Sequence, residues 1–292
     1  MLISTEIHST ANLVGEEKAI ECLAKAGFDA WDFSMFKMVR YDWENKRLLD
    51  NDHPLIGPDY LSFARHLRKI GEDNGIHCNQ SHAPFPVKLP IVRSNYLKRA
   101  IECTAEAGGK ICIIHPDNDK SAEENAEMYW ELLPFAKDHG VKIATENMWN
   151  WDKTLDQASP AACSSPEDFV KHLEAVNDPS FVACLDLGHA EMRGLGTTAP
   201  EMIHALGSHL QALHIHDNDQ WHDSHNIPFS MNINFESIVK ALKEINYCGY
   251  FTLECDQYYN RAGYTADNVL EGAQNLATAA RRLGGMYDCI KP

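Results

Sequence analysis

No part of the 292-residue chain approaches the run of about 18 apolar residues needed to cross a bilayer, which argues against a transmembrane helix. The N-terminal MLISTEIHST has neither a basic nor an apolar signal region, so no secretory leader is expected. Basic residues are scarce, 26 Lys and Arg against 42 Asp and Glu, and the net charge of −16 opposes phosphate backbones and anionic membranes. The nine cysteines are single, with no CxxC pair, and most sit in apolar runs such as Cys112 in KICIIHP and Cys184 in FVACLDLGH. That is how a reduced compartment uses cysteine, as a small buried hydrophobe. The expectation is a cytoplasmic protein with no nucleic-acid or membrane partner. GxGxxG, the Walker A pattern and GxSxG are all missing, which removes support for dinucleotide binding, nucleotide hydrolysis and a serine nucleophile. Linkers rich in Gly, Pro or Ser are missing too, so a single domain over 1–292 is expected.

What is present is alternation. Short apolar runs at 2–7, 28–33, 76–81, 110–115, 141–146, 181–186, 210–216 and 250–254 read as strands. Between them lie eight helical patterns, and glycines such as those in KAGF, DNGI and AGGK mark helix ends just before a strand. Eight β-then-α units predict a (β/α)8 TIM barrel, an α/β fold. Two longer segments, 34–58 and 147–165, read as insertions. Both follow strand C-terminal ends, the face where such barrels carry their sites. They also hold aromatic residues, namely Phe36, Tyr41, Trp43, Trp149 and Trp151, suited to stacking on a sugar or to packing the loops down.

Ionisable residues recur at the strand ends: Asp32, His82, His115, Glu146, Asp186 with His189, His214 with His216, then Glu254 with Asp256. One such histidine alone is most simply a hydrogen-bonded polar residue. The whole set around one mouth is costly to bury unless a cation or substrate satisfies it. Glu, Asp and His together are a ligand mixture for Mn, Mg, Co or Zn.

Glu146 in IATENM, Asp186 in CLDLGH, the HIHDND run on strand seven and Glu254 in FTLECD resemble the xylose-isomerase-like barrel superfamily, with its sugar isomerases and epimerases of the D-tagatose 3-epimerase type. The likeness runs over nearly the whole chain. It implies one divalent metal, Mn, Co or Mg, held by Glu146, Asp186, His216 and Glu254, with His214 the rival to His216. It also implies that Glu146 and Glu254 exchange a proton with the substrate and that His189 contacts a substrate oxygen. His82, His115 and Trp149 are further substrate-binding candidates, and a homodimer or homotetramer would be usual. The expected activity is isomerisation or epimerisation of a sugar or sugar-derived hydroxy-ketone. Metal-dependent dehydration of a sugar or inositol derivative, or a binding subunit without catalysis, are alternatives.

A second resemblance is to the zinc AP endonucleases of the same fold, which hold several zinc ions. His82, His115, His189, Asp223 and His225 match their additional ligand positions, and Asp223-Ser-His225 is the distinctive piece. The negative charge of the chain weighs against a duplex-binding enzyme. The loop that follows reads Pro228-Phe229-Ser230-Met231, with Asn234 where an acidic residue would complete the related pattern.

Overall fold

Helix ends place the strands. Gly27 (φ 97°) and Gly108 (φ 91°) take the left-handed conformation that closes a helix without a Cβ clash, and each is followed by a barrel strand. The structure, a computed structural model, describes residues 1–42 and 44–290. Trp43 therefore lies outside the described residues.

Eight parallel strands alternate with eight outer helices. The strands are β1 (Ile3–Thr5), β2 (Ala30–Ser34), β3 (His77–His82), β4 (Ile111–Ile113), β5 (Lys142–Glu146), β6 (Phe181–Asp186), β7 (Leu210–His214) and β8 (Phe251–Leu253). The helices are α1 (Glu16–Ala26), α2 (Tyr60–Asp73), α3 (Leu97–Ala107), α4 (Ala122–Asp138), α5 (Pro166–Val176), α6 (Ala199–Leu206), α7 (Phe235–Glu244) and α8 (Val269–Cys289). Continuous pairing joins β2 through β7 in order, and β1 pairs with β8. The ring closes through two single bridges, Glu6 with Asp32 and Ile215 with Leu253. The fold is the expected (β/α)8 barrel.

Alternation along β6 shows how the core divides. Val182 and Cys184 face inward onto Ile113, Ala144 and Ala212, and Phe181, Ala183 and Leu185 pack outward beneath the helices. The Phe181 ring lies 4.4 Å from that of Tyr129 on α4. That helix starts with a capping box in which Ser121 and Glu124 bond each other's backbone N–H groups. Ser165 caps α5 with Pro166 at its first position.

Several boundaries differ from expectation. Regular pairing in β1, β4, β7 and β8 stops one or two residues before the expected C-terminal end, and past β1 and β7 it thins to the single bridges of Glu6 and Ile215. Both insertions are structured. One contains a hairpin, Tyr41–Asp42 with Arg47–Leu48, and the other pairs Trp149–Asp152 with Gln157–Pro160. A helix over His8–Val14 was not expected from the sequence. It begins without a side-chain cap and with His, Ser and Thr, which are weak helix formers. No helix among the described residues is long and apolar enough to cross a membrane.

Candidate metal centre

The strand ends deliver their side chains to one buried mouth. Glu146 ends β5, Asp186 ends β6 and His214 ends β7, and Glu254 follows β8. One ligand atom from each of these four lies within 4.8 Å of the others, and all four residues are buried. His214 Nδ1 is 2.9 Å from Glu146 Oε1 and 3.5 Å from Glu254 Oε2. On the far edge of the same ring, Nε2 is 3.4 Å from Asp32 Oδ2, and Gln80 Nε2 donates to that oxygen at 2.9 Å.

The expected quartet held His216. By distance, His214 groups with Glu146, Asp186 and Glu254, and His216 groups with Asp186, His189 and His225. His216 Nε2 is 3.0 Å from Asp186 Oδ1 and 3.5 Å from Asp223 Oδ1. Asp223 also reaches His189 Nε2 at 3.3 Å and His225 Nε2 at 3.2 Å. Both strand-seven histidines point inward because they are two residues apart, but His214 lies one layer deeper. The His216 ring stacks on that of His225, with centroids 3.9 Å apart and planes 13° apart.

A third group joins His82, His115 and Glu146. The two Nε2 atoms are 2.9 Å apart and lie 3.5 and 3.3 Å from Glu146 Oε2. Glu146 and Asp186 are thus shared between neighbouring groups. Trp149 donates through Nε1 to Asp223 Oδ2 at 3.3 Å, and its ring borders a cavity of about 500 Å³ above the carboxylates. Trp151 turns away to stack on His222. Cys184 lies beside Glu146 and His214, and burial pushes its thiol up, so it stays neutral.

The sequence reading did not assign Asn147 a role. Its side chain brackets the Asp186 backbone, accepting from N–H at 2.8 Å and donating to C=O at 2.9 Å, and its carbonyl lies 2.9 Å from His189 Nδ1. Its one sequence signal was its place beside Glu146. Gly188 was missed as well: a Cβ there would overlap the His216 ring. The loop carrying Asp223 and His225 holds three non-glycine residues at positive φ, Gln220 (65°), His225 (40°) and Phe229 (70°). Such conformations cost energy and cluster at functional sites. Asp217 pins the loop by accepting from the Met231 and Ile233 N–H groups at 2.8 and 3.1 Å.

Charge separation in the site is strong. Burial opposes ionisation of Asp186, yet His189 and His216 hold its carboxyl down to about 2. Burial likewise opposes charging His189, but Asp186 and Asp223 raise it to about 10. Glu146 is held well below the usual range despite burial, chiefly by His214, whereas burial and then the Glu146 charge raise Glu254. His115 is lowered to about 4 by burial and by His82.

Whether these residues fit a cation can be judged from their orphaned atoms. Glu146 Oε2, Asp186 Oδ2, His216 Nε2 and Asp223 Oδ1 are buried with no hydrogen-bond partner, although charged or polar neighbours of the first, third and fourth lie within about 3.5 Å. Close approach without hydrogen-bond alignment is what lone pairs aimed at a shared third point produce. The donor set fits a divalent cation.

Fold and mouth together define a (β/α)8 barrel with a carboxylate–histidine centre at the C-terminal ends of its strands. The chain belongs to the xylose isomerase-like TIM barrel family, whose sequence profile matches residues 20–280. An uncharacterized protein of Methanocaldococcus jannaschii, MJ1311, is 24% identical over 253 residues, 81% of this chain and 78% of its own length. Among solved structures, a D-tagatose 3-epimerase-like protein superposes with a TM-score of 0.67 at 22% identity, covering 97% of this chain and 100% of that one. The IOLI protein with a bound zinc atom superposes at 0.73 with 17% identity, covering 99% and 100%.

Proposed function

We propose that the protein is a divalent-metal-dependent isomerase or epimerase acting on a sugar or sugar-derived hydroxy-ketone. The observation that carries this reading is the buried quartet of Glu146, Asp186, His214 and Glu254 beneath an aromatic-lined cavity of sugar-accommodating size. These four residues would hold the cation, and His216, whose Nε2 is buried without a hydrogen-bond partner beside Asp186, is the rival to His214. When bound, the cation supplies positive charge beside the enediolate left by proton removal. Glu146 and Glu254 both face the cavity, and their environments push their proton affinities apart. One carboxylate is therefore set to take a proton from the carbon next to the carbonyl while the other returns it. His189, held protonated, is a donor for a substrate oxygen, and Trp149 offers a ring for the apolar face of the sugar.

Turnover should disappear in Glu146→Gln and in Glu254→Gln with the circular dichroism spectrum unchanged. Normal activity in either variant would overturn the mechanism.

A multi-zinc phosphodiesterase is the second reading, supported by the additional groups around His82 with His115 and around Asp223 with His225. Elemental analysis of protein purified without chelator separates the two. About one Mn, Co or Mg per chain supports the isomerase, and two or three zinc ions favour the hydrolase.

A further inference from the structure

A second cavity, of about 510 Å³, adjoins the one above the carboxylates, and the two share Phe36 and Phe85 as a common wall. Phe36 stands edge-on to Phe85, His82 and His8, with ring centroids 5.2, 4.6 and 5.2 Å away, so it forms the sill between the cavities. Arg40, Tyr41 and Asn51 of the 34–58 insertion line the outer cavity together with Phe36.

Two features specify what would fit there. The first is charge. Lys37 Nζ is bound by Glu16 at 2.8 Å, and the same carboxylate takes His53 at 3.0 Å. Arg40 donates to the Asp50 carbonyl at 3.1 Å, and Asp52 adds a negative charge to the lining. Burial, followed by the neighbouring Lys37, lowers His8 to about 4, which leaves it neutral. Lys37 is matched by Glu16, and Arg40 and Asp52 bring one charge of each sign to the lining, so a phosphate would lack the net positive charge it needs. The second feature is rigidity. Asn51 donates to the Lys37 carbonyl at 2.7 Å and the Leu49 N–H donates to the Arg40 carbonyl at 2.8 Å, so the walls are built before any ligand arrives. An aromatic face ringed by charge-balanced hydrogen-bonding groups is the environment that takes a neutral sugar ring.

We propose that the outer cavity is a subsite for a neutral glycosyl unit, so that the substrate of the metal centre is a ketose bearing a second sugar. This inference rests on the ketose reading above and narrows it.

Calorimetry on the metal-loaded protein tests it with D-fructose, D-fructose 6-phosphate and three glucosyl-fructoses of different linkage, namely turanose, maltulose and isomaltulose. At least one glucosyl-fructose should bind about tenfold or more tighter than D-fructose, a gain of about 1.4 kcal/mol. Arg40→Ala and Tyr41→Ala should each erase most of that advantage and leave D-fructose affinity unchanged. Equal binding of D-fructose and every glucosyl-fructose would overturn the proposal, as would no binding by any of them. Tightest binding by the phosphate ester would do so too, because it would make the cavity an anion site. Turnover assays on the same sugars keep the two readings apart. Linkage-selective, Arg40-dependent binding without conversion leaves the subsite standing and removes the isomerase, whereas conversion of D-fructose without disaccharide preference does the reverse.

Discussion

Asp32 meets His214 on the ring edge that faces away from the other carboxylates: its Oδ2 lies 3.4 Å from Nε2, while Nδ1 of the same imidazole is 2.9 Å from Glu146 Oε1. A histidine that gives one nitrogen to a cation is commonly oriented by a carboxylate on the other. In the proposed quartet Asp32 would leave Nδ1 as the ligand atom of His214, and Gln80 holds Asp32 in place.

The first prediction follows from that pair. Asp32→Asn should weaken divalent-metal affinity by about 10- to 100-fold while the protein stays folded. Competition with a chelating dye measures the affinity. Unchanged binding would mean that the ring is held by other contacts.

Gly188 tests which strand-seven histidine serves the quartet. Alanine there pushes on the His216 ring, which cannot retreat because it is stacked on His225. Gly188→Ala should cost about 1–3 kcal/mol of stability through overpacking. Like His216→Ala, it should keep the cation at the quartet, which His214→Ala should lose. Equilibrium dialysis on the three variants checks this, and loss of that cation in His216→Ala alone would restore His216 as the ligand.

Glu6 gives a pH dependence with a definite sign. Burial, then Asp256, raises its carboxyl from an ordinary 4.5 to about 8. Because the folded value exceeds the unfolded one, its contribution is fully present below pH 4.5 and is lost as pH rises through 8. Within that window the wild type should lose up to about 1.4 kcal/mol per pH unit relative to Glu6→Gln. Urea unfolding between pH 5 and about 9 compares the two proteins, and parallel profiles would discount this role.

Much of this architecture was legible in the chain. β6 was read to the residue, and the other strands to within two residues at each end, because glycine-closed helices and compact apolar runs point to the same boundaries. The hairpin Trp149–Asp152 with Gln157–Pro160 was not legible, since four-residue strands rich in Trp, Asn and Asp carry little alternation. The residues of the mouth could be named from their strand-end positions, but their grouping could not. His214 and His216 share a face, and only the depth of each layer separates the ring that meets Asp32 from the ring that meets Asp223. Sequence periodicity reports the face and is silent on depth. Asp32 was visible as a strand-end acid, yet nothing local ties it to a histidine 182 positions away.

The sparse closure of the barrel bears on the metal itself. β1 and β8 join the six-stranded sheet through one bridge on each side, and Glu254 follows immediately after β8, at one of those seams. A cation gripped by Glu254 from one side and by Glu146 and Asp186 from the other would work as a clasp across the join. Loading the metal would then tighten the barrel wall, and the chain's resistance to opening would depend on the same atom as its chemistry.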